Sequence, residues 1–183
     1  MIKIVKIYTD GSAGPTNPGP GGFGVVVVEN DEVIDVFQYT EIGDTTNNRM
    51  EMKAILWAME NYGKIEKQFL DIPMVYSDSS YAVNTFNDWI FSWERRGWKK
   101  ANNQEPENMD LLKQYFEMYN KGIRIHLQKV KGHAGNKYNE MADKMAGGKV
   151  KFIAEVDGGY SVEFKNFETI QIKPKPGGKR NEN

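Results

Sequence analysis

The hexapeptide Ile7-Tyr8-Thr9-Asp10-Gly11-Ser12 decides the fold, because a strand-like segment ends there on a carboxylate. Residues 2–9 are mostly apolar or β-favouring, which predicts a buried strand. The glycines and prolines of residues 11–24 predict that this strand stops after Asp10 and that a loop begins. Open α/β sheets bind their ligands at strand ends of this kind, so Asp10 is a candidate site residue. The alternative is an Asp that only starts an Asx turn.

The composition predicts a single soluble domain with a sizeable core, since the 183 residues are 39% hydrophobic and 27% charged. The chain has no Cys, which excludes disulfides and thiolate metal ligands. It has no long apolar run and no export signal, so we expect a cytoplasmic protein without membrane association. A net charge of −1 excludes an indiscriminate nucleic-acid binder, and any nucleic-acid contact must come from a local basic patch.

The hydrophobic pattern predicts an α/β protein with a mixed sheet. Strands are expected at residues 2–9, 23–29, 33–40, 71–77 and 123–130, and helices at residues 49–62, 79–91, 109–119 and 139–146. The two-residue connection Asn30-Asp31 predicts that the second and third strands form an antiparallel hairpin. Strands separated by helices favour parallel pairing beside that hairpin.

Four acidic residues are candidates for one metal site. Asp10 and Asp78 end predicted strands, Glu51 lies in the predicted first turn of the first helix, and Asp143 lies on the last helix. If the first and fourth strands are parallel neighbours, the two aspartates emerge side by side. Crowded carboxylates repel one another, and Mg²⁺ or Mn²⁺ relieves that repulsion. Two such ions about 4 Å apart promote in-line attack on a phosphodiester. The alternative is four ordinary surface acids among 25 Asp and Glu.

Five motifs give these acids a specific context. They are Tyr8-Thr9-Asp10-Gly11-Ser12, Asn17-Pro18-Gly19-Pro20-Gly21-Gly22, Thr45-Thr46-Asn47-Asn48-Arg49-Met50-Glu51, Ser77-Asp78-Ser79-Ser80-Tyr81, and Lys131-Gly132-His133-Ala134-Gly135 with Asn139-Glu140-Met141-Ala142-Asp143. In order and spacing, over roughly four-fifths of the chain, this set resembles the ribonuclease H type 1 family. Each motif alone is weak, and the five together are specific.

The resemblance implies a ribonuclease H-like three-layer α/β fold. Its mixed five-stranded sheet would have the order 3-2-1-4-5, with strand 2 antiparallel and helices on both faces. It also implies an endonuclease that hydrolyses the RNA strand of RNA–DNA hybrids with two Mg²⁺ ions, for which Mn²⁺ can substitute, leaving 5′-phosphate and 3′-hydroxyl ends. The implied metal ligands are Asp10, Glu51, Asp78 and Asp143. His133 would match a mobile histidine that assists proton transfer or product departure, as suits an imidazole that titrates near neutrality.

The resemblance also implies contacts with both strands of the hybrid. The RNA strand and the minor groove would meet Gly11, Ser12, Asn17, Asn47 and Asn48. A DNA phosphate would lie against Thr46 and Asn108, a deoxyribose against Trp89, and a basic protrusion would contain Arg95, Arg96 and Lys99. The alternatives are helix capping and turn formation for the asparagines, core packing for Trp89 and a solvated loop for the cations.

The motifs predict a catalytic domain at residues 1–147. Residues 148–172 are expected to be a C-terminal extension with a β-hairpin, and residues 173–183 a disordered basic tail. We expect a monomer whose partner is the hybrid duplex. Two alternatives stay open: a non-catalytic hybrid-binding domain, and a nuclease of the same fold with another nucleic-acid substrate.

Overall fold

The computed structural model describes residues 4–65, 71–131 and 136–148, and the backbone of residues 150–156, 159–164 and 169–172. The strands are β1 (Val5–Ala13), β2 (Gly21–Glu29), β3 (Glu32–Thr40), β4 (Lys64–Ile65), β5 (Met74–Ser77), β6 (Ile123–Arg124), β7 (His126–Lys129), β8 (Val150–Val156), β9 (Gly159–Phe164) and β10 (Thr169–Ile172). The helices are α1 (Asn47–Tyr62), α2 (Ser80–Asn84), α3 (Ile90–Arg95), α4 (Met109–Asn120) and α5 (Lys137–Ala146).

The central sheet has the order β3-β2-β1-β5-β7, which confirms the predicted order of its five strands. β1 pairs antiparallel with β2 and parallel with β5, and β5 pairs parallel with β7. The predicted hairpin turn is also present, since Asn30 and Asp31 have φ angles of 51° and 60°. Asn and Asp tolerate this left-handed conformation, which matches the twist of the two strands.

The first strand does not stop at Asp10, as the glycines had led us to predict. β1 continues to Ala13 and stays paired with β2, whereas its parallel pairing with β5 ends at Tyr8. Gly11 has a packing role, since a Cβ there would lie 2.2 Å from the carbonyl carbon of Met50. The glycine therefore lets α1 approach the sheet closely. Asp10 lies where β1 loses its parallel neighbour, since the pairing with β5 ends two residues earlier.

Helices cover both faces of the sheet, as predicted. The larger core lies beneath α1, α4 and the helical segment of residues 80–95, and it includes Ile7, Val25, Val27, Ile55, Phe86 and Leu112. A smaller core lies beneath α5 and includes Tyr8, Val26, Val28, Val36, Met141 and Met145. All four valines of residues 25–28 are buried because both sheet faces are covered. The sheet is thus a rigid base for the groups at its open end.

Three predicted elements differ in detail. The hydroxyl of Thr46 accepts a hydrogen bond from the backbone N of Arg49, so α1 begins at Asn47 and Glu51 lies beyond the first turn. The predicted helix of residues 79–91 is α2 and α3 joined by the π-helical segment Thr85–Trp89. The predicted strand of residues 123–130 is divided, because β6 pairs with β4 and only β7 joins the central sheet.

The chain beyond α5 forms a separate sheet of the order β10-β9-β8. β8 pairs antiparallel with β9, and β10 lies beside the edge strand β3. Residues 157–158 and residues 173–183 lie outside the described part of the chain, so the predicted disordered tail is untested. Within the described residues, none of the helices has the length and apolar character needed to span a bilayer.

Candidate active site

Three carboxyl groups meet at the end of the sheet where β1 and β5 separate, beyond Tyr8 and Tyr76. Asp10 comes from β1, Glu51 from α1 and Asp78 from the residue after β5, and one oxygen of each lies within 4.8 Å of the others. The parallel pairing of β1 and β5 delivers the two aspartates to the same edge. The close approach of α1 at Gly11 delivers Glu51. Asp10 is 6% exposed and Glu51 8%, whereas Asp78 is half-buried.

The pKa values of Asp10 and Glu51 are raised far above those of surface carboxyls. Burial, and then the negative charge of Asp78, raises the pKa of Asp10 from 3.8 to about 8. Burial, and then the charge of Asp10, raises the pKa of Glu51 well above its usual value. Buried like charges disfavour ionisation unless an opposite charge neutralises them. The cluster therefore favours protonated carboxyls or a bound cation.

Asp143 lies at the rim of this cluster. It is exposed on α5, and its side chain is close enough to Asp10 to raise the pKa of that residue. The oxygen of Asn136 caps α5 by accepting hydrogen bonds from the backbone N atoms of Tyr138 (3.0 Å) and Asn139 (3.2 Å). A Cβ at Gly24 would lie 2.6 Å from the carbonyl oxygen of Ala142, so glycine allows α5 to pack onto β2. These contacts hold Asp143 beside Asp10.

The donor set fits a hard divalent cation. All of its atoms are carboxylate oxygens, which Mg²⁺ and Mn²⁺ prefer over nitrogen or sulfur. The Oε2 atom of Glu51 is buried and forms no hydrogen bond to the described residues. A buried polar atom without a partner is costly, and a metal ligand bond would satisfy it. The side chains of Asp10, Glu51 and Asp78 are thus suited to hold a metal ion.

Comparison with known proteins identifies the family of this chain. The profile described as RNase H matches residues 3–151. The chain belongs to the RNase H family. It is 38% identical over 151 residues to Ribonuclease H of Thermoanaerobacter sp. (strain X514), which covers 82% of this chain and 92% of the relative. It is 42% identical over 146 residues to Ribonuclease HI of Rickettsia conorii (strain ATCC VR-613 / Malish 7), which covers 80% of this chain and 90% of the relative.

Solved structures show the same architecture. The solution structure of the PFV RNase H domain superposes with a TM-score of 0.66, at 22% sequence identity. The match covers 81% of this chain and 94% of that domain. The ribonuclease H resemblance of the sequence motifs and the predicted three-layer fold are therefore confirmed.

Two of the predicted groove asparagines hold the site together. The oxygen of Asn47 accepts a hydrogen bond from the backbone N of Ala13 at 2.7 Å, and the oxygen of Asn17 accepts one from the backbone N of Asn47 at 3.1 Å. The first bond fastens the end of β1 to the start of α1, and the second fastens the loop after β1 to the same point. Each uses the amide oxygen, so the NH₂ group is the donor that each side chain can offer to an RNase H substrate. The structural role is therefore compatible with a binding role.

The remaining residues predicted to contact the hybrid differ in their exposure. Gly11 is buried, Ser12 and Asn48 are half-buried, and Trp89 is 37% exposed, with its ring centroid 6.1 Å from that of Tyr81. Trp89 is thus accessible to a ligand and does not belong to the core. The cations Arg95, Arg96 and Lys99 are exposed at the end of α3 and in the loop that follows. The predicted His133 lies in residues 132–135, outside the described part of the chain, so its role stays a prediction.

The sequence reasoning assigned no role to Arg49, although this residue stands inside one of the RNase H motifs. Its Nη1 atom donates a hydrogen bond to the Oδ1 atom of Asn108 at 3.1 Å, and its backbone N donates one to Thr46. Arg49 therefore joins the two residues predicted to bind a DNA phosphate. It also pairs with Asp110, which was missed as well. The signal available in the sequence was only the position of Arg49 between Asn48 and Glu51.

Proposed function

We propose that the chain is an endonuclease that hydrolyses the RNA strand of RNA–DNA hybrids and leaves 5′-phosphate and 3′-hydroxyl ends. Membership of the RNase H family makes it a nuclease, that is, a phosphodiester hydrolase. The observation that carries the proposal is the approach of three carboxyl groups, from Asp10, Glu51 and Asp78, to within 4.8 Å of one another. A non-catalytic hybrid-binding domain would have no use for a buried cluster of this kind.

We propose that Asp10, Glu51, Asp78 and Asp143 hold two Mg²⁺ ions, for which Mn²⁺ can substitute. When bound, such ions supply an activated water and stabilise the charge on the leaving oxygen. Asp10 is the central ligand in this proposal, since Glu51, Asp78 and Asp143 all act on its pKa. Glu51 offers the buried Oε2 atom, which has no hydrogen-bond partner among the described residues. Asp143, exposed at the rim, completes the set from the side that the substrate approaches.

We propose that His133 exchanges a proton near the reacting phosphate or assists product departure. An unperturbed imidazole titrates near pH 6.5 and can therefore both accept and donate a proton at neutral pH. The support is its position in the sequence, ten residues before Asp143.

The two strands of the hybrid would be recognised by different chemistry. Donors near the cluster suit the 2′-hydroxyl groups of RNA, which DNA lacks; these are the backbone and side chains of Gly11, Ser12, Asn17, Asn47 and Asn48. The DNA strand would contact Thr46 and Asn108 through a phosphate, and Trp89 through a deoxyribose. The exposure of Trp89 supports that contact. The exposed cations Arg95, Arg96 and Lys99 would strengthen binding to the polyanion.

Further proposals concern organisation. We propose that residues 1–147 are the catalytic domain, that residues 148–172 are an accessory extension and that residues 173–183 are a basic tail. The break between α5 and the separate sheet of β8, β9 and β10 supports the first boundary. We also propose that the chain acts as a monomer in the cytoplasm.

A strand-labelled assay tests the activity. Hybrids labelled on either the RNA or the DNA strand are incubated with the full chain, with Mg²⁺ or with EDTA, next to double-stranded RNA and double-stranded DNA. We expect cleavage of the RNA strand of the hybrid in Mg²⁺ alone. Cleavage of another duplex would indicate a different substrate, and hybrid binding without cleavage in either Mg²⁺ or Mn²⁺ would indicate a non-catalytic domain.

A further inference from the structure

The side chain of Arg49 connects the starts of α1 and α4. Its Nη1 and Nη2 atoms donate hydrogen bonds to the two carboxylate oxygens of Asp110, at 3.0 and 2.8 Å. Nη1 also donates to the Oδ1 atom of Asn108 at 3.1 Å. A bidentate pair of this kind fixes the plane of the guanidinium group. Asn108 is thus held by a group whose own orientation is fixed.

Asn108 has an unusual conformation for its place in the fold. It precedes the first turn of α4, where an Asn side chain ordinarily accepts a hydrogen bond from the helix backbone. Here the side chain makes no capping bond, and the backbone is left-handed, with φ 60° and ψ 39°. Asn tolerates the left-handed backbone, but the missing capping bond costs stability. The side chain is therefore directed to Arg49 at the expense of its own helix, which is typical of a functional constraint.

The contact with Arg49 determines which end of the Asn108 amide can meet a phosphate. Guanidinium groups only donate hydrogen bonds, so the amide oxygen faces Arg49 and the NH₂ group faces away from it. Burial raises the pKa of Tyr81, and the Asn108 side chain beside its hydroxyl opposes that effect, as an N–H donor would. Phosphate oxygens only accept hydrogen bonds. A flipped amide would present its own oxygen to the phosphate and would repel it.

We propose that Arg49 and Asp110 are positioning residues, which orient the Asn108 amide as a hydrogen-bond donor for a phosphate of the DNA strand. The inference rests on the proposed function, since it assumes a hybrid substrate. Folding stability is a weak explanation for the pair, because the side chains of Arg49 and Asp110 are 29% and 62% exposed. Surface ion pairs of that kind contribute little to stability.

The direction in which hybrid affinity changes when Asp110 is replaced distinguishes this role from simple electrostatics. Asp110 is a negative charge near the expected path of a polyanion, so its removal would strengthen hybrid binding if only charge mattered. If Asp110 positions Asn108 through Arg49, the same removal weakens binding, because the amide and the guanidinium become free to rotate.

The experiment compares Asp110→Asn with Glu117→Gln in the full chain. Both substitutions remove one negative charge from α4, and Glu117 is an exposed residue that pairs with Lys121 at 3.3 Å. Hybrid affinity is measured in EDTA, and KM and kcat in Mg²⁺, at several salt concentrations. We expect Asp110→Asn to raise Kd and KM by about three- to ten-fold, as for the loss of one ordinary hydrogen bond, with kcat unchanged. Glu117→Gln should leave both constants unchanged or slightly lower.

Two further variants keep the test decisive if Asp110→Asn lowers the melting temperature. Arg49→Lys keeps the positive charge but loses the bidentate geometry, and it should also raise Kd. Asn108→Asp keeps the oxygen that Arg49 binds but loses the NH₂ donor, and it should raise Kd at least as much. Affinity that is unchanged or tighter in Asp110→Asn, or a fall in kcat at constant KM, would overturn the inference. Absence of cleavage by the unsubstituted chain would instead refute the proposed function, while the affinities in EDTA would still test the orientation of Asn108.

Discussion

Replacing Asp10 by Asn should abolish cleavage and yet stabilise the metal-free protein. The pKa of Asp10 is about 8 in the folded chain, against 3.8 for the ordinary carboxyl. The folded state therefore binds more protons than the unfolded state between about pH 4 and pH 8, and the free energy of unfolding falls as the pH rises through that window. At about 1.4 kcal/mol per pH unit, Asp10 lowers the stability by about 4 kcal/mol at pH 7.

An Asn side chain at this position cannot ionise, so it does not lower the free energy of unfolding as the pH rises. Its amide is still buried, at a cost of roughly 1–2 kcal/mol, so Asp10→Asn should be about 2–3 kcal/mol more stable than the unsubstituted chain at pH 7. Near pH 4 the variant should be about 1–2 kcal/mol less stable than the unsubstituted chain, because only the cost of the buried amide then remains. This stability gap should change sign and grow as the pH rises, and it should level off near pH 8. Added Mg²⁺ should stabilise the unsubstituted chain more than the variant, because a ligand that binds only the folded state shifts the unfolding equilibrium.

Urea denaturation in EDTA at pH 4, 5, 6, 7 and 8 measures this gap, and repetition in Mg²⁺ measures the effect of the metal. Asp44→Asn is the matched control, since Asp44 is exposed and the chemical change is identical. Hybrid binding by Asp10→Asn should persist while cleavage is lost. A variant that is less stable at pH 7 in EDTA, a gap that does not vary with pH, or unimpaired cleavage would each refute the reasoning.

Three other predictions follow from close contacts at the site. Gly11→Ala should destabilise the fold by more than about 2 kcal/mol in the same urea denaturation experiment, since the new Cβ would lie 2.2 Å from the backbone of α1. Gly14→Ala is the control and should be neutral, because a Cβ there meets nothing within 4 Å. Asn136→Ala should lower the free energy of unfolding by about 1 kcal/mol, because it removes the cap of α5. It should also raise the Mg²⁺ concentration needed for half-maximal activity, because α5 carries Asp143. Asn136→Asp keeps the capping acceptor and should change neither quantity. Trp89→Ala should weaken hybrid binding about ten-fold with little change in melting temperature, since the ring is 37% exposed. Trp89→Phe keeps an aromatic ring and should retain most of the affinity in the same binding assay.

Much of the fold could be predicted from local patterns. The all-apolar run of residues 25–28 indicated a strand buried on both faces, and the Asn30-Asp31 turn indicated a hairpin, because both features depend on short-range chemistry. The role of Gly11 could not be predicted in this way. Glycine interrupts a strand in one context and allows a helix to pack on it in another, and only the neighbouring helix distinguishes them.

The four acidic candidates came from the sequence, through motifs whose order and spacing are visible in the chain itself. Their electrostatics came from the tertiary structure, since the pKa of Asp10 depends on burial and on side chains 41, 68 and 133 positions away in sequence. The same holds for Arg49, Asn108 and Asp110, which look like unrelated surface residues until α1 and α4 are brought together. A sequence determines which chemical groups are present, but distance and solvent exposure govern their interactions, and only the folded chain sets those two quantities.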